Sequence, residues 1–196
     1  MHTNASRARG MSPARFAAAG LLAVLSVYLL FHGLRAAVAY TLYFQSKYGP
    51  AKDDTAAILR LNEKAYRLYP YNGYSCAWAA REAYGNALAL TEQAREAGLL
   101  TTWKWCDRGL ALDARNRDLR RLKSRLLRAE DLPAAVSNWE SFVEWNFWEP
   151  GNHVFLAELY AEAGALEKAE RTLAILKPHP RFHARAKRYV DAARGK

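Results

Sequence analysis

The first 52 residues contain no aspartate or glutamate, although they hold six lysines and arginines. The other 144 are close to balance, with 23 basic and 19 acidic side chains. The formal net charge of +10 is therefore weighted toward the N-terminus, where it flanks an apolar segment. That pattern belongs to a membrane boundary. A nucleic-acid-binding face needs a continuous basic stripe, and this chain breaks its basic blocks with an acidic one. Cysteine is scarce as well. Cys76 and Cys106 are the only two, too few for a disulfide framework or a zinc cluster. The patterns that announce catalysis are missing: there is no G-x-S-x-G, H-E-x-x-H, C-x-x-C or glycine-rich phosphate loop. Strand-like runs are short and lie inside helical periodicity, and the composition favours helix, so an all-α chain is expected.

A few polar pairs need separate reading. His179 and His183 stand four apart, but Pro180 lies between them. His179 therefore precedes the following helix and does not share its face. Glu140/Glu144 and Glu158/Glu162 are i,i+4 pairs of the kind that solvated helix faces carry. The chain is read as a non-enzyme, with no catalytic, cofactor-binding or metal-binding residue assigned.

What is present begins with Phe16–Leu34, a run free of Lys, Arg, Asp and Glu. As a helix these 19 residues would span roughly 28 Å, about the thickness of a bilayer's hydrocarbon core. Residues 1–15 read as a disordered basic tail, 16–44 as a transmembrane and interfacial helix, and 45–52 as a linker around Gly49-Pro50. Two fates fit the apolar segment. Ala37-Val38-Ala39 is a small-x-small cleavage pattern. Arg35, with Tyr40, Tyr43 and Phe44 following, favours an uncleaved anchor whose aromatics sit at the interface. Arg7, Arg9 and Arg15 precede the span, and Arg35, Lys47 and Lys52 follow it. The balance leans toward an inside N-terminus and a C-terminal part on the far side of the membrane.

The C-terminal part contains one unit written twice. Shifted by 34 residues, Leu122 falls on Leu156, Leu126 on Tyr160, Leu132 on Leu166, Ala135 on Ala169, Trp139 on Leu173 and Phe142 on Leu176. The second copy reads Leu156-Ala157-x2-Tyr160-x3-Gly164-x-Leu166-x2-Ala169-x3-Leu173. In period and pattern this resembles the tetratricopeptide (TPR) family, whose unit is two antiparallel helices joined by a short turn. Matched helices are expected over about 117–129, 131–146, 151–163 and 165–177, with Ala135 and Ala169 at the helix crossings. Residues 180–194 are expected to cap the array, giving a TPR-like domain over 53–196. Between the matched units, Trp145-Asn-Phe-Trp148-Glu-Pro150-Gly151 forms an aromatic corner. Upstream, residues 52–69 read as a lone helix. Tyr74–Ala97 has no breaker except Gly85, which places the next hairpin turn near Gly98. That turn would set Cys76 and Cys106 on the order of 20 Å apart along the hairpin, leaving two free, buried thiols.

The resemblance also implies a binding surface. The first helix of each TPR unit lines the concave face. The matching positions are Arg117, Arg120, Arg121, Ser124, Leu127 and Arg128, then Gly151, Val154, Phe155, Glu158, Ala161 and Glu162. The irregular unit before them adds Tyr74, Trp78, Arg81 and Tyr84. Arg128 is expected to pair with Glu162, leaving Arg117, Arg120 and Arg121 as free cations beside Trp78 for an acidic or phosphate-bearing segment of a partner protein. The carboxylate-clamp pattern of chaperone-binding TPRs is not met, because Phe155 stands where an asparagine is wanted. The implied protein is an adaptor at the bacterial cell envelope, anchored in the inner membrane through residues 16–34 with its domain in the periplasm and no nucleic acid as partner. A structural subunit of a membrane complex, an accessory of envelope glycan assembly and a cleaved periplasmic TPR protein are the alternatives.

Overall fold

The computed structural model describes residues 13–195. The expected tail therefore lies outside the described residues up to position 12, as does Lys196. The described residues form nine α-helices and no strand: α1 Pro13–Tyr48, α2 Thr55–Leu68, α3 Gly73–Ala89, α4 Glu92–Leu112, α5 Arg117–Glu130, α6 Leu132–Trp145, α7 Pro150–Glu162, α8 Leu166–Ile175 and α9 Pro180–Arg194. Starts are written in the side chains. Asp54, Asn72, Asn116 and Asp131 each accept a hydrogen bond from the backbone N–H three residues on, satisfying a donor that the helix itself cannot. Gly164 ends α7 in the left-handed region at φ 71°. Ala165 N–H then reaches back to the Tyr160 carbonyl, and Gly164 N–H to that of Ala161, the paired closure that glycine permits.

The first helix exceeds its expected bounds at both ends. Residues 13–15 of the expected tail belong to it, and so do residues 45–48 of the expected linker. The chain breaks only at Gly49-Pro50, where Gly49 N–H closes on the Gln45 carbonyl. Its apolar stretch is unburied, and α1 is long and apolar enough to cross a membrane. Beyond that stretch the same helix packs on α2 and buries Ala39, Tyr43 and Ser46. A buried polar relay fixes the junction. Ser75 Oγ of α3 donates to Asn62 Oδ1 of α2 (2.6 Å), Asn62 Nδ2 donates to Ser46 Oγ of α1 (2.9 Å), and Ser46 Oγ donates to the Tyr43 carbonyl (2.7 Å). All three side chains are at most 1% exposed.

The hairpin after α2 departs from the sequence reading. Its turn is at Leu90–Thr91, both extended, and not at Gly98. Gly98 lies inside α4, facing α3. A Cβ built on it would stand 2.7 Å from the Ala87 Cβ. The glycine therefore serves a close helix approach rather than a turn. Moving the turn also corrects the cysteine geometry. Cys76 and Cys106 lie in one core cluster with Trp105 and Leu119, not far apart along the hairpin. Both thiols are free and buried.

Helices α1 to α8 pack chiefly on their neighbours in sequence, α3 also reaches α5, and α9 packs more on α7 than on α8. The 34-residue correspondence holds in burial. Leu122 and Leu156, Leu126 and Tyr160, Ala135 and Ala169, and Phe142 and Leu176 are all buried. Only the Trp139–Leu173 pair differs, with Leu173 half-buried. Trp139 anchors the larger core against Phe142 and Phe155. Blocks of opposite charge meet at Arg128–Glu158 between α5 and α7 and at Arg194–Glu170 between α9 and α8.

Candidate functional site

The helix pair α3 and α5 forms one wall of a groove of about 450 Å³, and the end of α1 closes its side. Trp78, Arg81 and Tyr84 come from α3 at helical spacing, each three residues from the next. Arg121 and Arg125 come from α5, four apart, and Tyr43 and Lys47 from α1, likewise four apart. These i,i+3 and i,i+4 spacings keep each set on one helix face. Five of the residues expected from the sequence therefore converge: Tyr74, Trp78, Arg81, Tyr84 and Arg121.

The electrostatics of the groove are one-sided. Lys47, Arg81, Arg121 and Arg125 face it, with Asp118 as the one acidic lining residue. Asp118 itself lies 4.0 Å from Arg117 Nε. The Lys47 ammonium sits 5.5 Å from the Trp78 ring and 5.7 Å from the Tyr43 ring, within cation–π range, and it donates to Tyr43 Oη at 3.2 Å. The Arg121 guanidinium lies 5.2 Å from the Phe155 ring. Burial, and after it the like charges of Arg125, Arg185 and Arg117, push Arg121 below its ordinary range. Two donors of groove-lining residues are buried and meet no acceptor among the described residues: Arg121 Nε and Trp78 Nε1. Buried donors are nearly always paired in folded proteins, so two orphans in one groove favour a ligand that brings acceptors.

Three residues expected in the groove are placed elsewhere. Arg120 is not a free cation. It turns toward α6, donating to Asn138 Oδ1 at 2.8 Å and to the Ala114 carbonyl at 2.8 Å. Asn138 answers by donating to the Arg120 carbonyl and to Ser124 Oγ, so this position holds the α5–α6 hairpin together. Arg117 is exposed and outside the lining, contributing only its field. Glu158 is taken by Arg128, whose guanidinium spans Glu158 and Glu162. Burial opposes the charge on Arg128, but the Glu158 carboxylate more than compensates and holds it above its ordinary value. The expected Arg128–Glu162 pair thus forms together with a second one.

Sequence reasoning missed Tyr43, Lys47 and Arg125. Lys47 was hidden by ending the expected helix at Phe44, and Tyr43 by its reading as an interfacial aromatic. The i,i+4 spacing of Tyr43 and Lys47 ahead of Gly49-Pro50 was the available signal. Arg125 falls outside the concave positions that the TPR resemblance supplies.

The groove contains no convergent acid–base pair of the kind proton transfer requires. Among the described residues no three His, Cys, Asp or Glu side chains group to hold a metal ion. Cys76 and Cys106 stay unreactive: burial pushes their thiols up to about 11 and about 12, so thiolate is scarce at neutral pH. What the geometry offers is recognition of an anionic, partly apolar segment. No family model, curated protein or solved structure matches this chain.

Proposed function

We propose that the protein is a membrane-anchored, TPR-like adaptor of the bacterial envelope that receives an acidic segment of a partner protein in the α1–α3–α5 groove. The observation that carries this reading is the groove's composition: four cations against one carboxylate, aromatic walls, and two buried donors without acceptors. The membrane helix is part of that site, since Tyr43 and Lys47 belong to α1.

Height above the bilayer selects protein over lipid as the ligand. From Leu34 to Lys47 the helix rises about 20 Å. The headgroup layer on each side is only about 5–8 Å thick. A typical tilt of about 20° shortens the rise by little. The groove then stands beyond the headgroups, at the level of a neighbour's extramembrane segment. In this reading the C-terminal domain lies in the periplasm, with the N-terminus inside.

The test is co-purification from solubilised membranes with Arg121→Glu/Arg125→Glu, beside the exposed control Lys177→Glu/Arg181→Glu. A micromolar complex is worth about −8 kcal/mol. Losing two charge-assisted bonds removes about 3–6 kcal/mol, which takes the complex below detection. Undiminished recovery of the partner by the groove variant, with helicity intact by circular dichroism, would refute the groove assignment.

A further inference from the structure

The aromatic corner between α6 and α7 opens on a second cleft, of about 510 Å³, walled by α6, α7 and α8. It shares no residue with the first groove and has the opposite character. His153 lines it and is only 4% exposed. Its Nε2 lies 2.6 Å from the Phe147 carbonyl oxygen. A carbonyl only accepts, so in the neutral ring Nε2 carries the proton and Nδ1 keeps a lone pair. That Nδ1 is buried and meets no donor among the described residues.

The other polar groups of the cleft are acceptors too. Tyr160 lines it, but its hydroxyl proton is committed to Glu140 at 2.6 Å. Thr172 lines it, but its hydroxyl donates to the Lys168 carbonyl at 2.9 Å. Glu140 also receives Lys168 Nζ at 3.1 Å. Glu144, one turn further along α6, is exposed and makes no ion pair among the described residues. Phe147 stands edge-on to His153, 5.7 Å between centroids, and is itself exposed. A cleft of acceptors with an aromatic rim rejects anions and suits a group that only donates. Ammonium, guanidinium and the indole N–H donate without accepting, and of these the two cations also complement the Glu144 carboxylate.

We propose that this cleft receives a lysine or arginine side chain of a partner protein, its charged nitrogen donating to His153 Nδ1 and the Glu144 carboxylate while its stem lies against Phe147. Cation–π attraction and a charge-assisted bond act together there. The protein would thus present two docking points of opposite sign, the basic groove beside α1 and this one at the α6–α7 corner.

The test uses the full chain in detergent with ¹⁵N-labelled histidine. The probe is the peptide acetyl-Leu-Lys-Leu-amide, with norleucine in place of lysine as the uncharged control. The expected result is a saturable shift of the His153 Nδ1 resonance with a dissociation constant on the order of 1 mM, the strength of a single-residue contact. The norleucine peptide should leave the resonance unmoved, and Glu144→Gln should weaken the lysine peptide by about tenfold. Equal shifts from both peptides would reduce the site to an apolar cleft and overturn the proposal. So would the absence of a saturable shift at tens of millimolar. A concentration-dependent dimer that Glu144→Lys abolishes would give the cleft to a second copy of this chain and overturn it as well. None of these outcomes touches Arg121 or Arg125, so the basic groove stands or falls separately.

Discussion

Replacing Asn62 with leucine should loosen the junction between α1 and the helices that follow it more than any surface change. Asn62 is fully buried and joins three helices: its amide donates to Ser46 of α1, and its carbonyl accepts from Ser75 of α3. Leucine of similar size keeps the packing but removes both interhelix bonds. Each is worth about 1 kcal/mol net, and a buried donor left without an acceptor costs about 1–3 kcal/mol more. Ser75 is that donor. It sits in the first turn of α3 and has no helical carbonyl four residues back to turn to. Ser46 suffers less, because its own proton already goes to the Tyr43 carbonyl. The expected loss is about 3–5 kcal/mol, or a fall in melting temperature of roughly 6–20 °C for a chain of this size. The buried thiols supply the assay, since a thiol-reactive fluorophore reaches Cys76 and Cys106 only when the domain opens. The double variant Asn62→Leu/Ser75→Ala removes the orphaned donor and should recover about half of the loss. A double variant less stable than the single one would show that the relay is not what holds these helices, and the reasoning would fail.

Leu25→Asp, at the centre of the apolar run, should cost about 2.5–3.5 kcal/mol of insertion and move protein from the carbonate-resistant to the extractable fraction; a mature N-terminus at Tyr40 would instead establish cleavage. Gly98→Ala should destabilise by up to about 2 kcal/mol, the balance of overpacking at about 1–3 kcal/mol and a helix-propensity gain of about 1 kcal/mol. Gly85→Ala meets nothing within 4 Å and should stabilise by about 0.8–1 kcal/mol in the same melting assay. The Arg108 guanidinium, bonded to Glu63 through both terminal nitrogens, with Lys104 and Arg67 adding to it, holds that carboxyl below its ordinary range. Its stabilisation is therefore complete above the unfolded value of about 4.3 and is lost as pH falls through the lower folded value. Melting curves from pH 6 downward should show a smaller acid-dependent drop for Glu63→Gln than for the parent.

The helices were legible wherever the chain punctuates itself. Asp54, Asn72, Asn116 and Asp131 announce starts, and Gly164 announces a stop. The turn at Leu90–Thr91 was not legible, because neither residue is a breaker, and Gly98 drew the turn to itself while serving as a contact surface. The site divides in the same way. Trp78, Arg81, Tyr84 and Arg121 were named from the concave positions that the TPR resemblance implies, and helical spacing keeps the three on α3 on one face. Arg117, Arg120 and Glu158 fell away because side-chain partners such as Asn138 and Arg128 decide where a charge points, and no single-helix pattern records them. The second cleft was invisible for a related reason. His153 becomes notable only once its other ring nitrogen is seen bound to the Phe147 carbonyl.

The unbroken run of α1 from the apolar stretch into the polar relay makes angle, as well as height, a fixed property of the protein. A helix advances about 100° and 1.5 Å per residue. Between Leu34 and Ala39 there is no hinge to absorb either quantity. If α1 spans a membrane as proposed, the azimuth of the basic groove is encoded in the count of residues between the apolar run and Ser46, as a phase. One inserted residue would swing the groove by about a quarter turn, and seven would return it close to its starting bearing about 10 Å higher. The domain is in this sense a pointer on a rigid shaft, and its compass direction follows the rotation of the apolar stretch of α1.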